Sequence, residues 1–264
     1  MKVSSGTGTS ATDEVVARLR AAGCVFAEDE AALLLAQSSS AAELDASVQR
    51  RVAGEPLEVI LGWAGFCGLR IAVHPGVFVP RQRTRLLVDE AFRLLSPGAV
   101  VLDLCCGTGA VGAVLASRVP GLELYAADSD AAAVRCACAN LADAGQVFEG
   151  DLFSPLPREL QGRITVLTCN VPYVPSEAIA LMPPEARLHE PRAALDGGPD
   201  GLDVQRRVAA GARTWLAPGG HLLVEAGERQ AEESRRIFTS HGLIARVVSS
   251  AERDATVVVA TRQR

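Results

Sequence analysis

Lysine is all but missing from this chain: Lys2 is the only one, and every other strong base is arginine, a compositional bias of lineage. Tyrosine is nearly as scarce, at two residues, so a nicotinamide oxidoreductase built on a Tyr-Lys pair lacks its material. Aromatic residues make up 4% of the chain, which leaves Val, Leu and Ala to build the core. Positive charge is not in excess. The net charge of −5 advertises no basic face, which argues against a nucleic-acid partner. The seven cysteines form no Cys-x-x-Cys pair and the four histidines do not cluster near them, so no zinc site is expected and a reduced, cytoplasmic protein is the simple reading. No apolar stretch approaches the ~20 residues of a membrane span. The opening "MKVSSGTGTSATDE" lacks the apolar centre of a signal peptide.

What is present is an ordinary globular composition, 48% hydrophobic and 22% charged, over a length of 264 residues. That length suits one large core with a small appendage. Residues 1–10 read as a disordered leader. Three helical segments follow within 11–61: "TDEVVARLRAAG", with Thr12 as its candidate cap, "AEDEAALLLAQSSS" and "SAAELDASVQRRVAG". "GFCGLRIAVHPGVFVP" alternates and carries turn signals, so residues 62–83 read as a β-hairpin linker.

From residue 84 to 264 strands and helices alternate. "AVVLDL", "LELYAAD", "QVFEGD", "ITVLTCN" and "HLLVEAG" read as strands, and the helix "DGLDVQRRVAAGARTWLAPGG" is expected to end at Pro218-Gly219-Gly220. The pattern is that of an α/β fold with a mainly parallel sheet covered on both faces. "LIARVVSS" and "DATVVVATR", joined by a short loop, predict an antiparallel last strand.

The first of these strands runs into "CCGTGAVG", whose Gly107, Gly109 and Gly112 match a nucleotide-binding turn, and Asp128 ends the next strand where a ribose-binding acid is expected. Asp103 stands just before the turn. A carboxylate there would repel a pyrophosphate at the helix N-terminus but would suit an ammonium or sulfonium group. S-adenosylmethionine carries both, with a ribose diol for Asp128, and is preferred to NAD. Asp151, in "EGDLFSPLP", either meets the adenine amino group beside Leu152 or caps the turn that follows.

The fourth strand closes on "NVPY". Asn170 offers a side-chain amide, Val171 a carbonyl, Pro172 rigidity and Tyr173 an aromatic face. These groups fit a planar nitrogen nucleophile, with both of its N–H bonds accepted and its lone pair aimed at a methyl donor. Methyl transfer from a sulfonium neutralises charge, so positioning and desolvation supply much of the rate.

These segments resemble the HemK/PrmC protein-(glutamine-N5) methyltransferases. The likeness covers nearly the whole chain, through "RRVAGEPLEVILGWAGFCGLRIAVHPGVFVPRQRTRLLVDEA", "VLDLCCGTGAVG", "GDLFSPLP", "CNVPYVP" and "HEPRAALDGGPDGLDVQRRV". It implies a seven-stranded, Rossmann-like class I methyltransferase domain behind a small N-terminal helical domain that recognises substrate, with a hairpin link. It also implies S-adenosylmethionine at Cys105, Cys106, Gly107, Thr108, Gly109, Asp128, Leu152 and Asn170. The acceptor glutamine of a peptide-chain release factor would lie on Asn170, Val171, Pro172 and Tyr173. The chain departs from the family pattern where Val171 and Gln82 replace prolines, Cys105 a glycine, Arg85 an acid and Leu152 an aromatic residue, and in a short helical domain, which marks a divergent paralogue. The alternatives are methylation of a guanidine or amide in a small metabolite, and a cofactor-binding protein with little catalysis.

Overall fold

The computed structural model describes residues 10–264, so the expected leader lies outside the described residues except for Ser10. The first helix, α1 (Ala11–Ala21), is capped by Ser10 and not by Thr12. The Ser10 hydroxyl accepts the Asp13 N–H while the Asp13 carboxylate accepts the Ser10 N–H, a reciprocal box that Thr12, one residue inside the helix, cannot make. Helices α2 (Ala27–Gln37), α3 (Ala41–Val52) and α4 (Leu57–Leu61) complete the helical unit. Val15, Leu19, Ala31, Leu34, Val48 and Leu61 form its core. Arg51 holds α3 to α2 through two hydrogen bonds to Glu30, at 2.6 and 3.1 Å.

The hairpin is shorter than the sequence pattern suggests, pairing β1 (Trp63–Phe66) with β2 (Leu69–Ala72). Its two-residue turn, Cys67-Gly68, has φ of 49° and 87°, and this left-handed pair matches the twist of antiparallel strands. Beyond Ala72 the chain runs through Pro75 and Pro80 without a strand partner.

The remaining elements are α5 (Arg85–Phe92), β3 (Val100–Leu104), α6 (Ala110–Arg118), β4 (Glu123–Asp128), α7 (Ala131–Leu141), β5 (Gly145–Glu149), β6 (Ile164–Cys169), α8 (Pro184–His189), α9 (Asp203–Trp215), β7 (Leu216–Glu225), α10 (Ala231–Ser240), β8 (Leu243–Ser250) and β9 (Ala255–Arg262). They build a seven-stranded sheet in the order β5-β4-β3-β6-β7-β9-β8. β9 is antiparallel to both of its neighbours, as the short loop before it implies, and the other pairings are parallel.

Both faces of the sheet are covered, so the central strands are mainly apolar on both sides, with Asp103 and Thr168 as buried exceptions. Leu102 and Leu104 pack into a cluster with Val208, Ala212 and Phe238 of α9 and α10. Val101, one residue out of phase, joins Leu87, Val114 and Leu115 on the opposite face. Helix α9 ends at Trp215, three residues before the Pro-Gly-Gly segment expected to stop it. Those residues instead form an irregularity inside β7: Leu216 pairs with Ile164 while His221 pairs with Val166. Gly219 takes φ 80° there, and a Cβ at Gly220 would come within 2.6 Å of the Ile164 carbonyl. The proline therefore bends a strand and leaves the helix untouched.

Candidate active site

Strands β3, β4 and β6 end at one edge of the sheet, where open α/β sheets bind ligands. A cavity of 680 Å³ lies there, within the roughly 300–1,000 Å³ usual for small-molecule sites. Every residue expected to meet cofactor or acceptor, apart from Gly109, lines it.

The wall beyond β3 is the glycine turn. Cys105, Gly107 and Gly109 are left-handed, with φ of 52°, 54° and 73°. Only glycine takes that region freely, and a side chain there costs about 1–2 kcal/mol. Cys105 thus occupies, under strain, a position suited to glycine. Gly109 is required for a second reason: a Cβ would stand 3.2 Å from Ala137, where α6 passes α7.

Two acids face this turn. Asp103 is buried, accepting the Thr168 hydroxyl at 2.8 Å and the Gly112 N–H at 3.2 Å. Burial without a partner cation pushes its pKa up to about 7 against those two hydrogen bonds. Asp128 accepts the N–H of Gly107 at 2.9 Å and of Asp130 at 3.0 Å, so it also fixes the turn. Its pKa too is raised by burial. Neither acid forms an ion pair among the described residues, which leaves this wall without a compensating cation.

Asp151 and Leu152 lie on the same cavity. The Asp151 carboxylate pairs with Arg207 of α9 and caps no turn; the Ser154 N–H bonds its main-chain carbonyl at 3.0 Å. Leu152 is left-handed, with φ 48°.

The opposing wall is the turn after β6. The Asn170 amide donates to the Thr84 hydroxyl across a long 3.5 Å, and its Oδ1 has no donor among the described residues. Val171 is buried, and neither its carbonyl nor its N–H is hydrogen-bonded there. The Tyr173 hydroxyl donates to Glu225 at 3.0 Å. Burial and that acid push its pKa up, so the phenol keeps its proton.

A strap over residues 196–201 holds this turn in place. Val174 donates to the Leu195 carbonyl at 3.0 Å and accepts the Gly197 N–H at 2.9 Å. The Gln230 amide bonds the carbonyls of Tyr173 and Asp200 at 3.0 and 2.8 Å. Gly201 permits the approach, since a Cβ there would stand 2.3 Å from the Tyr173 carbonyl.

Several residues of the site escape a reading along the chain. Asn140 of α7 bonds the Ala72 N–H and carbonyl and also the Thr108 carbonyl, which latches the hairpin to the glycine turn. Arg81 donates to buried Glu190 at 2.7 Å, tying the linker to the segment after α8. Arg83 donates to Glu225 at 3.1 Å. A signal did exist for Glu225: it ends β7 at the edge where Asn170 follows β6, as the pairing of Cys169 with Val224 requires. Among the described residues no three His, Cys, Asp or Glu side chains converge as a metal site, and no helix is long and apolar enough to cross a membrane.

The chain is similar to known proteins. A family model described as the methyltransferase small domain matches residues 68–198. A release factor glutamine methyltransferase of Geobacter sulfurreducens is 40% identical over 198 residues, covering 74% of this chain and 69% of its own. One from Mycolicibacterium smegmatis is 34% identical over 252 residues, covering 88% of this chain and 89% of its own. Among solved structures, a methyltransferase from Pyrococcus furiosus shares the fold with a TM-score of 0.57, at 16% identity, over 75% of this chain and 91% of that one.

Proposed function

The chain belongs to the release factor glutamine methyltransferase family, and on that premise we propose that it is a cytoplasmic, S-adenosylmethionine-dependent N-methyltransferase acting on a glutamine side chain of a release-factor-like protein. The donor cleft fits that cofactor. Asp103 is a buried acid and Asp128 a partly buried one, neither with a partner cation among the described residues, which suits a ligand bearing ammonium and sulfonium charge. The left-handed turn lets the backbone approach closely from Cys105 to Gly109. Bound S-adenosylmethionine supplies an electrophilic methyl group on a sulfonium.

The acceptor side belongs to Asn170, Val171, Pro172 and Tyr173. Asn170 Oδ1 and the Val171 carbonyl, both without donors among the described residues, accept the two N–H bonds of a primary amide. Accepting both fixes the amide plane and raises electron density on nitrogen. Pro172 holds the two acceptors at fixed spacing. The Tyr173 ring packs on the flat group while its hydroxyl stays on Glu225, so it acts as a wall and not as a base. Positioning and exclusion of water carry the rate. The helical unit of residues 11–61 is assigned to gripping the protein substrate, residues 62–83 to the link, and 84–264 to transfer.

One observation carries this reading: Asn170 and Cys105 leave neighbouring parallel strands at the same edge and line one cavity. The test is methyl transfer from labelled S-adenosylmethionine to a purified release factor, run beside a lysate divided into protein and metabolite fractions. Label on a release-factor glutamine is expected; label only in small molecules contradicts the substrate assignment.

A further inference from the structure

Arg83 is held by one nitrogen. Its Nε donates to Glu225 Oε1 at 3.1 Å, and the same oxygen takes the Tyr173 hydroxyl at 3.0 Å. The guanidinium carbon lies 5.7 Å from the centroid of the Tyr173 ring, within cation–π range. Glu225 is 2% exposed, so this anchor is fixed. The Arg83 side chain is 43% exposed and lines the cavity, and neither of its Nη groups has a hydrogen-bond partner among the described residues. Its neighbour in the short 3-10 turn Gln82–Thr84 is Thr84, whose hydroxyl meets the Asn170 amide. Two spare donors are therefore held on the linker side of the acceptor slot, against the ring that forms its wall.

We infer that Arg83 is a specificity-determining residue that binds a main-chain carbonyl of the acceptor polypeptide beside the methylated glutamine. This rests on the glutamine reading above. A neutral oxygen is the fitting partner, because Glu225 already balances the guanidinium charge. Glu185 and Glu190 on the same cavity disfavour a second anion. A planar guanidinium anchored at Nε has its remaining N–H bonds preset in direction, so little freedom is lost when a carbonyl is bound. The consequence is preference for glutamine within a polypeptide over a free amide, which has no such carbonyl.

The test uses the full chain with glutamine peptides in which the carbonyl before or after the glutamine is replaced by an alkene isostere. Arg83→Met keeps the apolar stem and removes the donors. It is expected to raise KM for the unmodified peptide about tenfold or more, the loss of a hydrogen bond from a charged group. kcat and cofactor affinity should stay within about threefold. One isostere should raise the wild-type KM by a similar factor and leave that of Arg83→Met unchanged. Arg83→Lys can keep the pairing with Glu225, but its ammonium is a point donor without the planar fork that projects the Nη groups away from that anchor, so it should match Arg83→Met. An unchanged KM in both variants overturns the inference, as does a variant that responds to the isosteres as strongly as wild type. A wild-type protein that methylates a small primary amide as readily as the peptide overturns it as well, while leaving the amide clamp intact. Absence of transfer to glutamine in any form overturns the reading beneath it.

Discussion

Leu104 and Cys169 face each other in the parallel register of β3 and β6, so the residues that follow them, Cys105 and Asn170, leave the sheet side by side. One of these positions opens the turn assigned to the methyl donor, and the other opens the turn assigned to the acceptor. A sheet register thus sets the spacing on which transfer depends, and each expected outcome below follows from a group near that edge.

Asp103 makes cofactor affinity depend on pH. Its pKa in the folded chain is about 7, up from 3.8, because it is buried without a cation. The unfolded chain therefore releases this proton first. The contribution of this one group to the stability of the ligand-free protein is therefore fully present below about pH 4, declines as pH rises towards 7, and is lost above it. A cationic ligand prefers the ionised acid, so the dissociation constant for S-adenosylmethionine should fall as pH rises through about 7 and then level off. Calorimetry between pH 5.5 and 8.5 checks this. Asp103→Asn should flatten the profile and raise the melting temperature of the ligand-free protein at pH 8; a wild-type affinity independent of pH speaks against the role.

The left-handed backbone at Cys105 makes a second prediction. Glycine removes the strain, so Cys105→Gly should leave cofactor affinity within about threefold and the melting temperature no lower. A β-branched side chain is an outlier there, and Cys105→Val should weaken cofactor binding about tenfold or more. Equal affinities in the two variants would mean that the turn's conformation does not matter to the ligand.

Gly201 is a third case, remote from the donor. Its φ of 78° and the 2.3 Å that a Cβ would leave to the Tyr173 carbonyl allow no side chain. Gly201→Ala should push the strap off the acceptor turn, cutting kcat about tenfold or more while cofactor affinity changes little. The comparison of kcat with affinity decides it, because general unfolding would lower both.

The sequence made the sheet legible where both faces are buried: "AVVLDL" and "ITVLTC" are apolar runs bounded by turn residues, and they are β3 and β6. It also displayed the glycine turn and "NVPY", whose chemistry lies in consecutive residues. It misled at Pro218, because a proline forbids a helix whether the residues beyond it loop out or enter a strand irregularity. Helix α5 escaped notice because its eight residues are short for a periodic signal. The supports of the site were hidden for a different reason. Arg83 and Glu225 are 142 residues apart, and Tyr173 and Glu225 are 52 apart. Such pairs are created by the fold, and no local pattern announces them.

The amide clamp itself is tested most directly by Asn170→Ala, assayed with labelled S-adenosylmethionine and a glutamine peptide, with cofactor affinity measured in parallel. Loss of one of two acceptors for the reacting amide should cut kcat about a hundredfold or more, while the dissociation constant for the cofactor changes less than about fivefold. Transfer to glutamine at close to the wild-type rate would contradict the clamp.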